Sequence, residues 1–393
     1  MRRRLYKGAI GGLCAALLAA CSAQVAPNTS QPPSRPAHAL VLLGLNTGSK
    51  PGLNVSMSVG GASTRQFLLD TGSVGLWVYP NAIGRYSKTH YAVTNSYGSG
   101  LMYEGILVYT TVDFGDGLAT GRVPVALVQR ATCVKGAKSC PATPNQHNCP
   151  GVKPGRNAGI RCLEVGRKLF GTFGAALSTM PVPSNKPVTE LYNVLFGIDQ
   201  PWAASFIVTP QALEVGPYAT DGFKMVPMTR EQPAPAQPIP SGAQGWNKGV
   251  NLCFRVGSLR NYCLYSTFDT GAYDIDFLTA VKLPLRQTPC GERVRSGTPF
   301  EMRSQDGTML ADFDAGEMAN WDVISSHVPQ GRLRVNTGLT FYNRDEVLFD
   351  AANGRVGLRK LATPGEIARS GCGEDDGEGN PSTRIASPGL AIR

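Results

Sequence analysis

The chain has 393 residues, with 38 Lys+Arg against 28 Asp+Glu, 42% hydrophobic residues and 17% charged residues. This is the composition of a folded globular protein and excludes a disordered chain, while 46 Gly and 29 Pro favour a turn-rich β protein over a helical bundle. The formal charge of +10 falls by four if Arg2, Arg3, Arg4 and Lys7 leave with the N-terminal segment, and no long basic run remains, so no nucleic-acid partner is expected.

Met1 to Gly8 form a basic head, and the apolar stretch AIGGLCAALLAA behind it is too short to span a bilayer comfortably. Residues 1–20 therefore read as a signal peptide. Leu18-Ala19-Ala20-Cys21 resembles a bacterial lipobox, which makes Cys21 the expected lipidation site and residues 21–40, polar and Pro-rich, a flexible tether. The expected location is the bacterial cell envelope, with a lipid anchor in the membrane. Ser22 after the Cys favours the outer membrane, facing the periplasm or the cell surface.

Cys14 leaves with the signal and Cys21 takes the lipid, so an even number of cysteines remains in an exported chain, which implies disulfides. Cys253 and Cys263 flank FRVGSLRNY, a strand-turn-strand pattern, and are expected to bridge that hairpin. Cys133, Cys140, Cys149 and Cys162 are expected to pair among themselves, which leaves Cys290 for Cys372. Neither short C-x-x-C pairs nor His at ligand spacing accompany these cysteines, so no metal and no cofactor are expected.

From residue 41 the pattern is short β-type runs punctuated by Gly, such as GILVYTTVDFG and CLYSTFDTG. One segment departs from it: Val188, Leu191, Tyr192, Leu195 and Phe196 recur at helical spacing and predict an amphipathic helix. Residues 133–162 and 229–245 read as surface insertions. The expected organisation is an N-terminal lobe over 41–219, a C-terminal lobe over 220–361 and a mobile tail over 362–393.

The two lobes are suggested by an internal echo. Phe67-Leu68-Leu69-Asp70-Thr71-Gly72-Ser73 recurs half a chain later as Ser266-Thr267-Phe268-Asp269-Thr270-Gly271-Ala272. One Asp-Thr-Gly is a common turn, but two copies, each ending an apolar strand, point to duplicated lobes that bring two carboxyls together. Such a pair titrates as a unit and holds one proton between its members, so that one activates water while the other protonates a carbonyl oxygen. Peptide hydrolysis then needs neither a metal nor a covalent intermediate.

Five segments in order resemble the pepsin-like, bilobal aspartic proteases. They are Asp70 to Val78 with Trp77; the flap-like Tyr97-Gly98-Ser99-Gly100; Phe173-Gly174-Ala175; Val335-Asn336-Thr337-Gly338; and the closing hairpin around Val347 to Leu358. The resemblance implies an all-β fold of two related barrel-like lobes with a few short helices. It makes Asp70 and Asp269 the catalytic dyad of an endopeptidase acting on peptides or unfolded protein and blocked by statine-type inhibitors. Tyr97, Gly98 and Ser99 would form the flap, Trp77 would hydrogen-bond and pack beside Tyr97, and Gly72 and Gly271 would let substrate approach. Thr71 and Thr270 would lock the two loops, and Ser73 would bond Asp70.

Two positions depart from the family pattern. Ala272 lacks the hydroxyl that would favour the ionised form of Asp269, so the dyad is expected to titrate higher than in acid-adapted relatives. Asn336 and Thr337 are polar where the family is apolar. These departures also admit a second reading, a protease-like lipoprotein that binds peptides or proteins without cleaving them.

Overall fold

In the strand Arg65–Asp70, Phe67 and Leu69 are buried while Arg65 and Gln66 face solvent, and in Val250–Val256 the side chains at 250, 252, 254 and 256 are buried. The period of two fixes which face of each short run joins the core. The computed structural model describes residues 39–45, 52–135, 137, 140–143, 149, 151–153, 155, 157–182, 190–198, 205–232, 239, 242–259, 261–272, 274–279, 283–288, 291–315, 323–327 and 333–362. The expected signal segment, Cys21, most of the tether, Cys290, Cys372 and the tail beyond Ala362 lie outside these residues.

The chain is all-β. A 14-stranded sheet carries the first half and closes on the C-terminal hairpin, and a 9-stranded sheet carries most of the second half. The first strand, Ala39–Leu45, stitches the large sheet together: residues 39–42 pair with Ala212–Val215 and residues 43–45 with Leu53–Val59. Ser205–Val208 then pairs with Asp345–Asp350, where Phe206 stacks on Phe349 with ring centroids 4.8 Å apart. Asp345–Asp350 and Arg355–Lys360 form the closing hairpin.

The echo in sequence is an echo in pairing. Arg65–Asp70 runs parallel to Gly171–Ala175, with Leu68 opposite Thr172. Tyr262–Thr267 runs parallel to Arg334–Asn336, with Thr267 opposite Asn336. Each Asp-Thr-Gly thus leaves the end of a strand whose neighbour is supplied from far along the chain, and Thr172 and Asn336 hold equivalent registers.

Three expectations are corrected. The helix predicted across Val188 to Phe196 is not formed by its described part, which is a short strand, Glu190–Leu191, followed by a 3-10 turn, Val194–Gly197. Asn193 breaks the periodicity. Its Oδ1 accepts from the backbone N–H of Leu195 and its Nδ2 donates to the carbonyl of Ala175, so the side chain serves the turn rather than a helix. Leu191, Tyr192, Val194, Leu195 and Phe196 are all buried, so their spacing recorded enclosure on every side and not one apolar face.

Region 133–162 is more than a surface insertion. The α-helix Ala158–Arg167 begins in it, and disulfides join Cys133 to Cys140 and Cys149 to Cys162. Ile160, Leu163 and Cys140 share a buried cluster with Trp77, Tyr79 and Tyr103. Region 229–245 likewise reaches inward: Glu231 accepts from both the backbone N–H and the hydroxyl of Thr179, and Ile239 is buried.

Candidate active site

The two Asp-Thr-Gly loops meet in a reciprocal lock. The backbone N–H of Thr71 donates to the Thr270 hydroxyl at 3.1 Å, and that of Thr270 donates to the Thr71 hydroxyl at 3.0 Å. Each hydroxyl donates onward across the interface, Thr71 to the Phe268 carbonyl at 2.8 Å and Thr270 to the Leu69 carbonyl at 2.7 Å. Threonine suits this place because one short side chain accepts and donates at once in a dry setting, where each unmade bond would be costly.

The lock leaves the carboxyls facing one another. A Cβ on Gly72 would fall 2.3 Å from the Asp269 carboxyl carbon, and one on Gly271 would fall 2.5 Å from that of Asp70. Each glycine is therefore the floor under the opposite acid, a contact that alanine could not make without displacing the carboxyl. Within each loop the glycine N–H donates to its own Asp, Gly72 to Asp70 Oδ1 at 3.0 Å and Gly271 to Asp269 Oδ1 at 2.7 Å.

The acids differ in surroundings. Asp70 is buried, and burial first, then the charge of Asp269 and the hydrogen bond the two carboxyls share, push it well above the usual carboxylate range. The Gly72 N–H opposes that rise, as does Ser73, although the Ser73 hydroxyl makes no hydrogen bond of good geometry. Burial thus favours the neutral form of Asp70 within the coupled pair. Asp269 is less buried, and Asn336 Nδ2 donates to its Oδ2 at 2.5 Å. In place of the hydroxyl missing at Ala272, Asp269 thus receives an amide from another strand.

Above the dyad, Ser87–Ser96 and Leu101–Thr110 form a hairpin whose tip carries Tyr97, Gly98 and Ser99. The Tyr97 N–H donates to the Leu101 carbonyl, closing the turn at 2.8 Å. Its hydroxyl is buried beside Asn95 and Thr172 with no hydrogen bond of good geometry, and burial raises its pKa well above the ordinary phenol value, so the group stays neutral. The expected bond from Trp77 is replaced: Trp77 Nε1 donates to the Val74 carbonyl at 3.1 Å. Tyr103 fills the space between, its ring centroid 5.8 Å from that of Trp77 and 5.2 Å from that of Tyr97, and its hydroxyl bonds that of Tyr79 at 2.7 Å.

Asp70, Asp269, Gly72, Ser73, Tyr97 and Gly98 line a cleft of about 660 Å³. Trp77 is fully buried behind that wall and Ser99 and Gly271 are not part of it, so of the expected substrate-contacting residues these three act from behind or beside the cleft. Sequence reasoning missed Glu231, Lys248, Tyr265 and Arg334 on the same walls. Nothing in their local sequence marks them, since long-range folding alone delivers them. Just past the second loop, Asp274 accepts from Arg293 at 3.1 Å in a pair whose side chains are 11% and 3% exposed. Cys253 and Cys263 lie directly opposite each other across the hairpin and are joined by a disulfide. Among the described residues no cluster of His, Cys, Asp and Glu could hold a metal ion.

Residues 39–168 match the family model of the PE-PGRS C-terminal aspartyl peptidase-like domain. The fold is similar to that of the aspartic proteinase from Irpex lacteus, with a TM-score of 0.51 and 17% sequence identity over 85% of this chain and 99% of that one. No curated protein matches the chain in sequence. The architecture is accordingly the all-β, bilobal one of pepsin-like aspartic proteinases.

Proposed function

We propose that the protein is an aspartic endopeptidase, and the observation that carries this reading is the pair of carboxyls held face to face beneath the Tyr97 hairpin. A peptide in the cleft would lie with its scissile carbonyl over the dyad. Asp269 takes a proton from a water, whose oxygen attacks the carbonyl carbon while Asp70 gives its proton to the carbonyl oxygen. The gem-diol then collapses: Asp70 recovers a proton from one hydroxyl, the C–N bond breaks, and Asp269 passes its proton to the departing nitrogen. In this assignment Asp70, whose neutral form burial favours, is the proton donor.

The purified full chain is expected to cleave a quenched fluorescent peptide between bulky apolar residues, best at mildly acidic pH, and to be blocked by a statine-type inhibitor that mimics the diol. Asp70→Asn and Asp269→Asn should each lower kcat/KM by on the order of 10³-fold or more, with melting behaviour retained because Asn keeps the shape of the loop. Binding of the inhibitor without cleavage at any pH would instead mean a peptide-binding protein.

A further inference from the structure

We infer that Asn336 is a positioning residue of the dyad, donating to Asp269 in place of the hydroxyl that Ala272 lacks. This rests on the proteolytic reading for its consequence in catalysis, but the contact itself rests on geometry. Asn336 ends the strand Arg334–Asn336, which runs parallel to the strand leading into Asp269, and its side chain lines the cleft.

The orientation of its amide is fixed by a second bond. Asn336 Oδ1 accepts from the backbone N–H of Gly338 at 3.0 Å. A backbone N–H can only donate, so the oxygen must face Gly338 and the NH₂ must face Asp269. The contact to Oδ2 is then donor to acceptor, and it is served at its best when Asp269 carries the charge. With Gly271 N–H on Oδ1, the carboxylate of Asp269 receives one donor on each oxygen.

The equivalent residue of the first half, Thr172, is opposite Leu68 as Asn336 is opposite Thr267. Thr172 lies beside the Tyr97 hydroxyl, under the flap. Asn336 instead serves the acid, because its amide is long enough to reach across the loop and is held from behind by Gly338. A residue in this register would be apolar if it only packed the loop. The polar side chain is explained by the missing hydroxyl one residue beyond Gly271.

The test is Asn336→Leu, which keeps the branching at Cγ and removes the donor. The acidic limb of kcat/KM is expected to rise by about one pH unit, a tenfold change in the apparent constant of the pair, with KM at the optimum unchanged. Adding Ala272→Thr should bring the limb back, since it restores a donor from the other side. The same limb is read without turnover from the pH dependence of statine-type inhibitor affinity by calorimetry, and Asn336→Val serves if the Leu variant fails to fold. Superimposable profiles for folded variant and wild type would overturn the assignment, as would a displaced limb that Ala272→Thr leaves in place. If the wild type binds inhibitor without cleaving and the binding limb still moves, the positioning role stands and the endopeptidase reading falls.

Discussion

The first and second Asp-Thr-Gly loops share their hydrogen-bond skeleton and differ in everything attached to it. Both place a glycine beneath the opposite acid and a threonine across the interface. Yet the Thr71 hydroxyl is also bonded to the buried Tyr342 hydroxyl at 2.9 Å, and among the described residues no tyrosine bonds the Thr270 hydroxyl. The first acid is buried; the second is more open and receives the Asn336 amide. The two loops share the lock that fixes the separation of the carboxyls, and each has its own support. The different supports give the two carboxyls of the coupled pair unlike surroundings.

The lock offers the sharpest way to break the symmetry. Thr270→Val would leave the Thr71 N–H and the Leu69 carbonyl without partners, and should cost about 2 to 3 kcal/mol of stability. Thr71→Val would strand the Thr270 N–H, the Phe268 carbonyl and the Tyr342 hydroxyl, and should cost about 1 kcal/mol more. Urea unfolding midpoints measure both. Equal losses would show that Tyr342 contributes nothing through this bond.

Much of this was legible because it repeats locally. Two Asp-Thr-Gly tripeptides at strand ends announce the dyad, and the alternation around Cys253 and Cys263 announces a hairpin whose cysteines lie opposite each other. What escaped is what folding brings together from afar. Asn336 could be marked as a departure from an apolar pattern, but its reach to Asp269 spans 67 positions and depends on strand register. Tyr103 displaces the expected Trp77 contact because it enters from the second strand of the flap hairpin, where an alternating pattern shows only that it is buried. The run from Leu191 to Phe196 misled for a related reason. When a segment is enclosed on all sides, its apolar spacing carries no period to read.

The halves also differ in buried acids outside the site. Asp345 and Asp350 lie on one strand of the closing hairpin, and both are 5% exposed. Asp350 is held by Arg355 and Asn353, with Arg355 Nε at 3.1 Å. Asp345 has an unpaired Oδ2, and burial pushes it up from 3.8 to about 6 against the pull of Arg344, Lys224 and Lys360. Between these values the folded protein holds a proton that the unfolded chain has released. Stability from this group is therefore full below about pH 4 and lost as pH rises through about 6. Asp345→Asn should stabilise the protein by about 2 to 3 kcal/mol at pH 7 and change little at pH 4, as read from melting curves at the two pH values. A gain of the same size at both would point to a cause other than titration.

The smallest expected effect separates the two halves by their disulfides. Cys133 lies opposite Leu101 at the base of the flap tip, the Val134 N–H donates to the Gly100 carbonyl at 2.8 Å, and Ala137 packs in the same cluster as Tyr97. The Cys133–Cys140 loop is thus a buttress on the hairpin that covers the dyad, whereas Cys253–Cys263 ties a hairpin of the second sheet. Opening the first bond by a paired Cys133→Ser and Cys140→Ser substitution should loosen the flap tip and raise KM for a peptide about three- to tenfold, with kcat nearly constant. Such a split is the mark of lost binding felt equally by ground state and transition state. The corresponding pair at Cys253 and Cys263 should leave KM where it is. If both pairs raise KM alike, the flap is not specially supported by the Cys-rich region, and the effect of either disulfide belongs to global stability.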